Sequence, residues 1–157
     1  EATVLTAHWT AITINITFNL DGGEGTAEPQ TVTYGAAYGT LPTVTKTGYN
    51  FVGWYLEDGT TLIEATSIVD ITEATVLTAH WTAITINITF DLADGTGTAE
   101  PQTVTYGAAY GELPEPTKTD YNFVGWYLAD GITRIDATTI VDITEDTVLI
   151  AHWELIE

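Results

Sequence analysis

Three histidines stand at a fixed spacing in this chain, and histidine is the side chain best suited to acid–base and metal chemistry near neutral pH. His8, His80 and His152 follow one another at intervals of 72 residues. Each lies between apolar residues of an alternating segment, which places it on the polar face of a strand. Because so long an interval separates them, we expect three exposed strand residues that do not meet, in preference to a metal or pH-sensing site.

The other groups that could carry out catalysis are not retained at the same interval of 72 residues. The carboxylate pair Glu57-Asp58 is replaced 72 residues later by Ala129-Asp130, and Ser67, the one serine, is replaced by Thr139. No cysteine is present to act as a nucleophile. General acid–base or nucleophilic catalysis needs its groups intact in every working copy. The sequence therefore predicts that the protein is not an enzyme and has no catalytic residues.

A loop rich in oxygen ligands and glycine invites comparison with calcium sites. It reads Asn19-Leu20-Asp21-Gly22-Gly23-Glu24 in one position and Asp91-Leu92-Ala93-Asp94-Gly95 in the other. The spacing of an EF-hand is missing, and the carboxylates shift between the two loops. We predict a solvated turn with no bound metal and no cofactor, and calcium binding remains the alternative.

Single lysines at matching positions raise a further alternative. Lys46 and Lys118 each stand alone in a Thr- and Pro-rich segment. A covalent bond from lysine to Asn or Asp requires a buried amine beside a carboxylate. An exposed lysine is the prediction for a loop of this kind.

Four tyrosines outside the predicted core are the candidate ligand contacts. They are Tyr38 and Tyr110, beside a short predicted helical turn, and Tyr55 and Tyr127, which are predicted to face outward from a hairpin. Tyrosine is enriched at recognition surfaces. Lids that close a small core are the other interpretation, and the one we favour.

The constant interval reflects an internal repeat. Glu1–Trp9 recurs unchanged at Glu73–Trp81 and slightly altered at Glu145–Trp153. Aligned without gaps, residues 10–81 and 82–153 differ at 15 of 72 positions. We therefore predict two repeat units with these bounds. Residues 1–9 would be the closing strand of a preceding, truncated repeat, and residues 154–157 a short tail.

Charge excludes two classes of partner. The formal net charge is −19, with 22 acidic residues against three Lys and Arg. Such a surface repels nucleic-acid phosphates and anionic lipid. No apolar run approaches the roughly 20 residues of a membrane span. We expect no nucleic-acid binding and no membrane insertion of this segment.

Alternation of side chains gives the secondary structure. Ile12–Leu20 alternates apolar and polar residues, which predicts a half-buried strand, and Thr75–Trp81 does the same with the opposite parity. The parity change places a unit boundary at Thr10-Ala11 and again at Thr82-Ala83. A connection this short leaves neighbouring units little freedom.

Between these strands the pattern is shorter and more irregular. We predict a strand at Gln30–Tyr34 with Tyr34 pointing inward. A helical turn is predicted at Gly35–Gly39, and another short helical turn within Ala65–Ala74. A hairpin is expected around Asp58-Gly59, a dipeptide suited to tight turns, with a bulge at Gly53. Each unit is thus predicted to have four or five strands, with an aromatic core formed by Phe18, Tyr34, Tyr49, Phe51, Trp54 and Trp81.

The segments Gln30–Gly35, Leu41-Pro42, Lys46–Tyr55 and Val76–Trp81 together resemble the Listeria–Bacteroides repeat, the B-repeat of the internalin B type. Both units match from end to end. The resemblance implies a β-rich α+β fold in which tandem, small β-grasp-like units carry little or reduced helix. It also implies an extracellular bacterial protein, surface-bound or secreted, whose tandem copies link a ligand-binding region to the cell surface.

These observations predict a non-catalytic, semi-rigid spacer or stalk whose immediate partners are neighbouring repeats. The alternative is a multivalent adhesive module that binds a host protein or glycan, where repetition would supply avidity. Residue differences between the units can discriminate between the two. A face on which they cluster is a poor candidate for a shared binding site.

Overall fold

The computed structural model describes residues 2–157 and contains two five-stranded β-sheets, one for each repeat. The first sheet consists of β1 (Thr13–Asn19), β2 (Gln30–Thr33), β3 (Tyr49–Tyr55), β4 (Leu62–Ile63) and β5 (Thr75–Ala83). The second consists of β6 (Thr85–Asp91), β7 (Gln102–Thr105), β8 (Tyr121–Tyr127), β9 (Arg134–Ile135) and β10 (Thr147–Leu155).

The chain divides into two units near the predicted boundary. One contains Asn50–Thr82 and most of the chain before it, and the other contains Ala83–Glu157 together with Thr47–Tyr49. Strand β5 ends at Ala83 and β6 begins at Thr85, so a single residue separates the two strands.

Both sheets are mixed and share one topology. The strand order is β2-β1-β5-β3-β4 in the first and β7-β6-β10-β8-β9 in the second. The first and last strands of a unit are parallel neighbours at the centre, with Ile16 opposite Thr75 in one unit and Ile88 opposite Thr147 in the other. Strands β2 and β7 pair antiparallel with β1 and β6 at one side.

Burial follows the predicted alternation. Ile14 and Ile16 of β1 are buried, whereas Thr13, Asn15 and Thr17 between them are exposed. One face of the sheet therefore carries the core and the other faces solvent. The first core comprises Ile14, Ile16, Val32, Tyr38, Val44, Trp54, Ile63, Val69, Leu77 and Ala79, and the second comprises the corresponding residues except position 116, where Pro replaces Val44.

The predicted hairpin and the predicted β-bulge are both confirmed. Strands β3 and β4 form a hairpin in which Leu56 N–H donates to Thr61 O at 3.0 Å, and Gly59 adopts a φ of 67°. In the second unit β8 and β10 shift register, because His152 faces Gly125 while the next residue, Trp153, faces Phe123. The extra residue in β8 is Val124, so the bulge lies beside Gly125, the counterpart of Gly53 where it was predicted.

Three local predictions are wrong. Residues 35–39 contain no helical turn: the chain turns at Tyr34-Gly35, and then Ala37 bridges Ile68 and Tyr38 N–H donates to Ser67 O. Residues 65–74 likewise contain a turn and a bridge but no helix. Tyr34 was expected to point inward, yet it is 46% exposed, because β2 ends at Thr33 and the chain turns before the alternation can continue.

The β-rich character and the small helix content are confirmed, since none of the residues 2–157 lies in a helix. The described chain is all-β, so the α+β description is not confirmed. Within the same residues there is no helix long and apolar enough to cross a membrane. Residues 2–12 form no strand, and their apolar side chains, including Leu5 and Trp9, lie in solvent.

Candidate functional site

The solvent-facing side of each sheet carries a stacked pair of rings. Tyr55 of β3 lies against His80 of β5 with ring centroids 4.1 Å apart and planes inclined by 15°. Tyr127 and His152 repeat the stack at 4.0 Å and 17°. The predicted polar-face position is thus correct for His80 and His152, but they are half-buried and not exposed, and His8 is exposed outside any strand. Each ring covers one face of the other, which leaves both side chains half-buried.

Glycine at the bulge makes room for this stack. Gly125 lies directly opposite His152, so no side chain on β8 separates the imidazole from the neighbouring tyrosine. In the first unit a Cβ on Gly53 would overlap Leu62 Cδ1 and approach Tyr55 Cε2 to 3.6 Å. The glycine is therefore covered by the residues around it, and a larger residue would displace them.

A row of hydroxyl and amide groups continues the same surface across β1 and β2. Thr31 Oγ1 donates to Asn15 Oδ1 at 3.1 Å, and the corresponding pair in the second unit has the same geometry and distance. We define the open sheet face as the outward residues of β1, β2, β3 and β5, which are Thr13, Asn15, Thr17, Asn19, Thr31, Thr33, Tyr55, Val76, Thr78 and His80. Eight of the ten are identical in the second unit, and the paired residues Asn19 and Thr78 are replaced by Asp91 and Ile150. Most of the other differences fall in loops, so the sequence differences do not cluster on this surface.

A groove beside the hairpin is the second candidate site. In the first unit it has a volume of about 410 Å³ and is lined mainly by Leu41, Pro42, Phe51, Val52 and Leu62. Its counterpart has about 610 Å³. Volumes of this size suit a small ligand or a peptide side chain.

The two grooves differ in chemistry. Glu112 replaces Thr40, and Arg134 replaces Leu62. Arg134 forms an ion pair with Asp136 at 3.1 Å, both side chains being more than half exposed. An apolar wall in one unit is therefore a charged wall in the other. By the criterion set from the sequence, the grooves are poor candidates for a common ligand.

Tyr38 and Tyr110 are not on the surface, which agrees with the favoured interpretation that they close the core and not with the alternative of ligand contacts. Each is 4% exposed and belongs to the core of its unit. Burial, and secondarily the charge of Asp70, raises the pKa of Tyr38, and Asp142 acts in the same way on Tyr110. The alternation of the sequence predicted Tyr34 inside and Tyr38 outside the core. The turn after β2 reverses this, so that Tyr34 is exposed and Tyr38 is buried.

The lysines fasten a loop. Lys46 Nζ donates to Asp21 O at 2.7 Å and lies 5.8 Å from the ring centroid of Trp81. Lys118 repeats the contact with Ala93 O at 2.8 Å. The bond is made to a main-chain oxygen, which explains why the lysine is retained although the residue at position 21 is Asp in one unit and Ala in the other.

The carboxylate and hydroxyl first considered for catalysis stabilise turns. Asp58 accepts hydrogen bonds from the N–H groups of Thr60 and Thr61, both at 2.8 Å, and from Thr61 Oγ1 at 2.6 Å. These bonds, the hydroxyl bond foremost, lower the pKa of Asp58 to about 2. Ser67 Oγ accepts from Glu64 N–H at 2.9 Å, and Thr139 does the same for Asp136.

Within residues 2–157, no group of three or more His, Cys, Asp or Glu side chains is placed to hold a metal ion. In the loop after β1, Asp21 adopts a φ of 48°, and its N–H donates to the side-chain amide oxygen Oδ1 of Asn19 at 3.1 Å. In the second unit Asp91 replaces this asparagine, and its Oδ1 accepts from Ala93 N–H at 2.9 Å.

Comparison with known proteins places these observations in a family. The model of the Listeria-Bacteroides repeat domain matches residues 15–80 and 87–152. Internalin H of Listeria monocytogenes is 41% identical over 98 residues, which is 60% of this chain and 17% of that protein. A "putative membrane protein" of Evansella cellulosilytica is 28% identical over 157 residues, 98% of this chain and 23% of that protein.

The chain thus spans less than a quarter of the length of these relatives. Among solved structures, the type 2 repeat of the mucus binding protein MUB from Lactobacillus reuteri is 12% identical, with 91% of this chain and 98% of that one covered. Its TM-score is 0.16, and a similarity this weak carries no argument.

Proposed function

Because the chain belongs to the Listeria-Bacteroides repeat family, with two tandem copies, we propose that it serves as a load-bearing spacer in an extracellular bacterial protein. The unit boundaries proposed are residues 10–81 and 82–153, with residues 1–9 closing a preceding unit. Strand order and the parallel central pair support a β-grasp-like unit in which loops replace the helix. The single residue between β5 and β6 supports a semi-rigid connection.

The observation that carries this proposal is the position of the first and last strands. Since β1 and β5 run parallel side by side, the chain enters a unit at one end and leaves it at the other. Ile16 pairs with Thr75, so Thr13, three residues before Ile16, is level with position 72. Ala83, at the end of β5, lies eleven residues beyond that level. At about 3.3 Å per residue, each unit separates its entry and exit by roughly 36 Å. An added repeat thus adds length.

The same arrangement determines how a unit responds to tension. Force applied at the two ends slides β1 along β5, so the hydrogen bonds between them are loaded together. Core residues reinforce this pair, because Ile16 and Leu77 of the two strands are completely buried. A pair loaded in shear resists more force than a pair peeled apart one bond at a time. The unit is therefore suited to hold another domain away from a surface.

Single-molecule pulling tests this directly, and the absence of native cysteine allows clean attachment of handles. Handles at Ala11→Cys and Ala83→Cys load the β1–β5 pair in shear. Handles at Ala11→Cys and Ala74→Cys pull on the same end of both strands and peel them apart. Both designs replace small alanines that lie outside the buried core.

We expect shear loading to need a severalfold higher rupture force than peeling in the same unit. Full extension of residues 13–83 from a folded span of roughly 36 Å should lengthen the tether by about 210 Å, taking 3.5 Å per residue. Equal rupture forces in the two geometries would contradict the load-bearing role. Extension without discrete steps would do the same.

The competing function is adhesion through the open sheet face. The observation that favours it is that eight of the ten residues of this face, including both members of the ring stack, are retained while groove and loop residues diverge. Tyr55 and Tyr127 remain candidate ligand contacts, since their rings lie at this surface beside polar groups. The partner would be a host protein or a glycan, engaged by both units at once.

An array of extracellular host proteins and glycans, probed with the full chain at physiological salt, tests adhesion. The adhesive role requires saturable binding that the paired change Tyr55→Ala with Tyr127→Ala abolishes. A matched control is Thr40→Ala with Glu112→Ala, which changes an exposed loop residue lining each groove, outside the strands that carry the stacked rings. Binding that survives loss of both tyrosines would exclude the stacked rings as the contact.

A further inference from the structure

Four Asp-Gly dipeptides occur in the chain, and this dipeptide is prone to a spontaneous rearrangement. They are Asp21-Gly22, Asp58-Gly59, Asp94-Gly95 and Asp130-Gly131. The glycine main-chain nitrogen attacks the aspartate side-chain carboxyl carbon, a C–N bond forms, and the carboxyl hydroxyl leaves with the amide proton as water. Water then opens the resulting succinimide. Opening at the main-chain carbonyl leaves an isoaspartate, whose backbone runs through the former side chain.

Three of these four glycine nitrogens are already engaged. Gly59 N–H donates to Leu56 O, and Gly131 N–H donates to Leu128 O, each at 2.9 Å. Gly95 N–H donates to Leu92 O at the same distance. A nitrogen that donates a hydrogen bond to a main-chain oxygen points away from the preceding side chain. It must break that bond before it can attack.

The hairpin aspartates are protected a second time. Three hydrogen bonds hold the Asp58 carboxylate in place and lower its pKa to about 2, so the protonated form, which the nitrogen attacks, is rarer than for an ordinary carboxyl group. Asp130 makes the equivalent bonds with Ile132 and Thr133. An ionised carboxylate resists attack by a nucleophile, because an oxide is a far poorer leaving group than water.

Neither hydrogen-bonded arrangement, at the glycine N–H or at the aspartate carboxylate, occurs at Asp21-Gly22 in the described part of the chain. Both residues are exposed, and within residues 2–157 Gly22 N–H has no hydrogen-bond partner. The loop amide that bonds back to Leu20 O belongs to the next residue, Gly23, at 2.9 Å. Gly23 corresponds to Gly95, so the two loops share this bond, but the aspartate stands one position earlier in the first unit. That single shift separates the reactive pair from the protected amide.

We propose that Asp21 is a site of spontaneous isoaspartate formation in this protein, and that the matching loop of the second unit is protected. The modification would insert a methylene into the main chain between Leu20 and Gly22. Lys46 binds Asp21 O in this loop, and Trp81 binds Leu20 O. Isoaspartate therefore loosens the loop contacts of the first unit and lowers its stability selectively.

The test is peptide mapping of the full chain after long incubation at neutral pH and body temperature, with an isoaspartate-specific methyltransferase as the reporter. Isoaspartate at Asp21 is expected to accumulate at least about fivefold faster than at each of the other three aspartates, because each of those must first break a hydrogen bond. In denaturant the four rates are expected to converge. Equal rates in the folded chain, or the same ranking in denaturant, would overturn the proposal.

The chain supplies its own matched variant. Asp21→Ala with Gly22→Asp gives the first loop the Ala-Asp-Gly sequence of the second, in which Asp94 already tolerates a φ of 64°. Isoaspartate in this loop is expected to fall to the level at Asp94. Modification that continues at the wild-type rate would show that the hydrogen-bonded amide gives no protection. The ranking within the unaltered chain needs no variant to fold.

Discussion

The indole N–H of Trp81 donates a hydrogen bond to the main-chain oxygen of Leu20, 3.0 Å away and 61 residues earlier in the chain. The bond joins the last strand of the unit to the loop that follows the first. Trp153 and Leu92 repeat it at the same distance. Lys46 and Lys118 bind the main-chain oxygen of the following residue, Asp21 or Ala93. Because both bonds are made to main-chain oxygens, the loop keeps these contacts in both units although its sequence changes.

Loss of this bond should destabilise one unit at a time. Trp81→Phe keeps an aromatic ring and removes the donor, so we expect the first unit to lose about 1 kcal/mol of unfolding free energy. Urea unfolding followed by NMR signals of each unit measures this. Trp153→Phe is the matched control and should transfer the loss to the second unit. An unchanged midpoint for the first unit would show that the indole bond contributes nothing.

The tight approach of the indole to this loop gives a second prediction. A Cβ on Gly23 would overlap Trp81 Cζ2 and lie only 3.0 Å from the main-chain oxygens of Leu20 and Thr45. Gly23→Ala should therefore cost the first unit about 1–3 kcal/mol through overpacking. Calorimetry of the variant should show one lowered transition. Gly95→Ala, which meets Trp153 in the same way, should lower the other, and two unshifted transitions would refute the contact.

Acid should weaken each hairpin through its aspartate. The pKa of Asp58 is about 2 in the folded chain against 3.8 for the free group, so the folded state binds the proton less readily. Its stabilising effect is complete above pH 4 and is lost as the pH falls towards 2. Asp58→Asn should remove this part of the pH dependence from the first unit.

The effect is measured as the change in the urea midpoint between about pH 5 and pH 2, the range over which the carboxylate becomes protonated. Asp130→Asn should act on the second unit in the same direction, since hydrogen bonds from Thr133 lower the pKa of Asp130. Glu57→Gln, a change at the neighbouring carboxyl, serves as the control. A pH profile that Asp58→Asn leaves unaltered would be the contrary result.

Residues 1–9 should be dispensable for both units. Among the described part of this segment, Trp9 is 92% exposed and Leu5 is 91% exposed, so neither contributes to a core here. Deleting residues 1–9 is expected to leave both unfolding transitions where they are, as scanning calorimetry would show. A marked loss of stability would mean that the first unit begins earlier than residue 10.

Much of the local structure could be predicted because it depends on neighbours in sequence. Side-chain alternation identified β1 and β5, and Asp58-Gly59 identified the hairpin. Asp120, which replaces Gly48, adopts a left-handed φ of 64°, a conformation that Asp tolerates. Predictions failed where a turn interrupted the alternation. Tyr34 and Tyr38 are the clearest case, since parity cannot be carried through a turn whose geometry depends on a bridge to Ile68.

The candidate site was only half predictable for the same reason. Its histidines and outward tyrosines followed from strand parity, but the stack of Tyr55 on His80 depends on which strands are neighbours and on a glycine bulge. The same holds for Lys46, whose partner is a main-chain oxygen that no side-chain pattern reveals.

The sequence by itself determined that the chain is a tandem repeat of small β units, because identity over a fixed interval and alternation are properties of order along the chain. Only the tertiary structure decided that β1 and β5 are parallel neighbours and that Tyr38 is buried. It also decided that, within the described chain, the N–H following Asp94 is hydrogen-bonded, whereas the N–H following Asp21 is not. These depend on hydrogen bonds and packing between residues far apart in sequence, which local patterns do not encode.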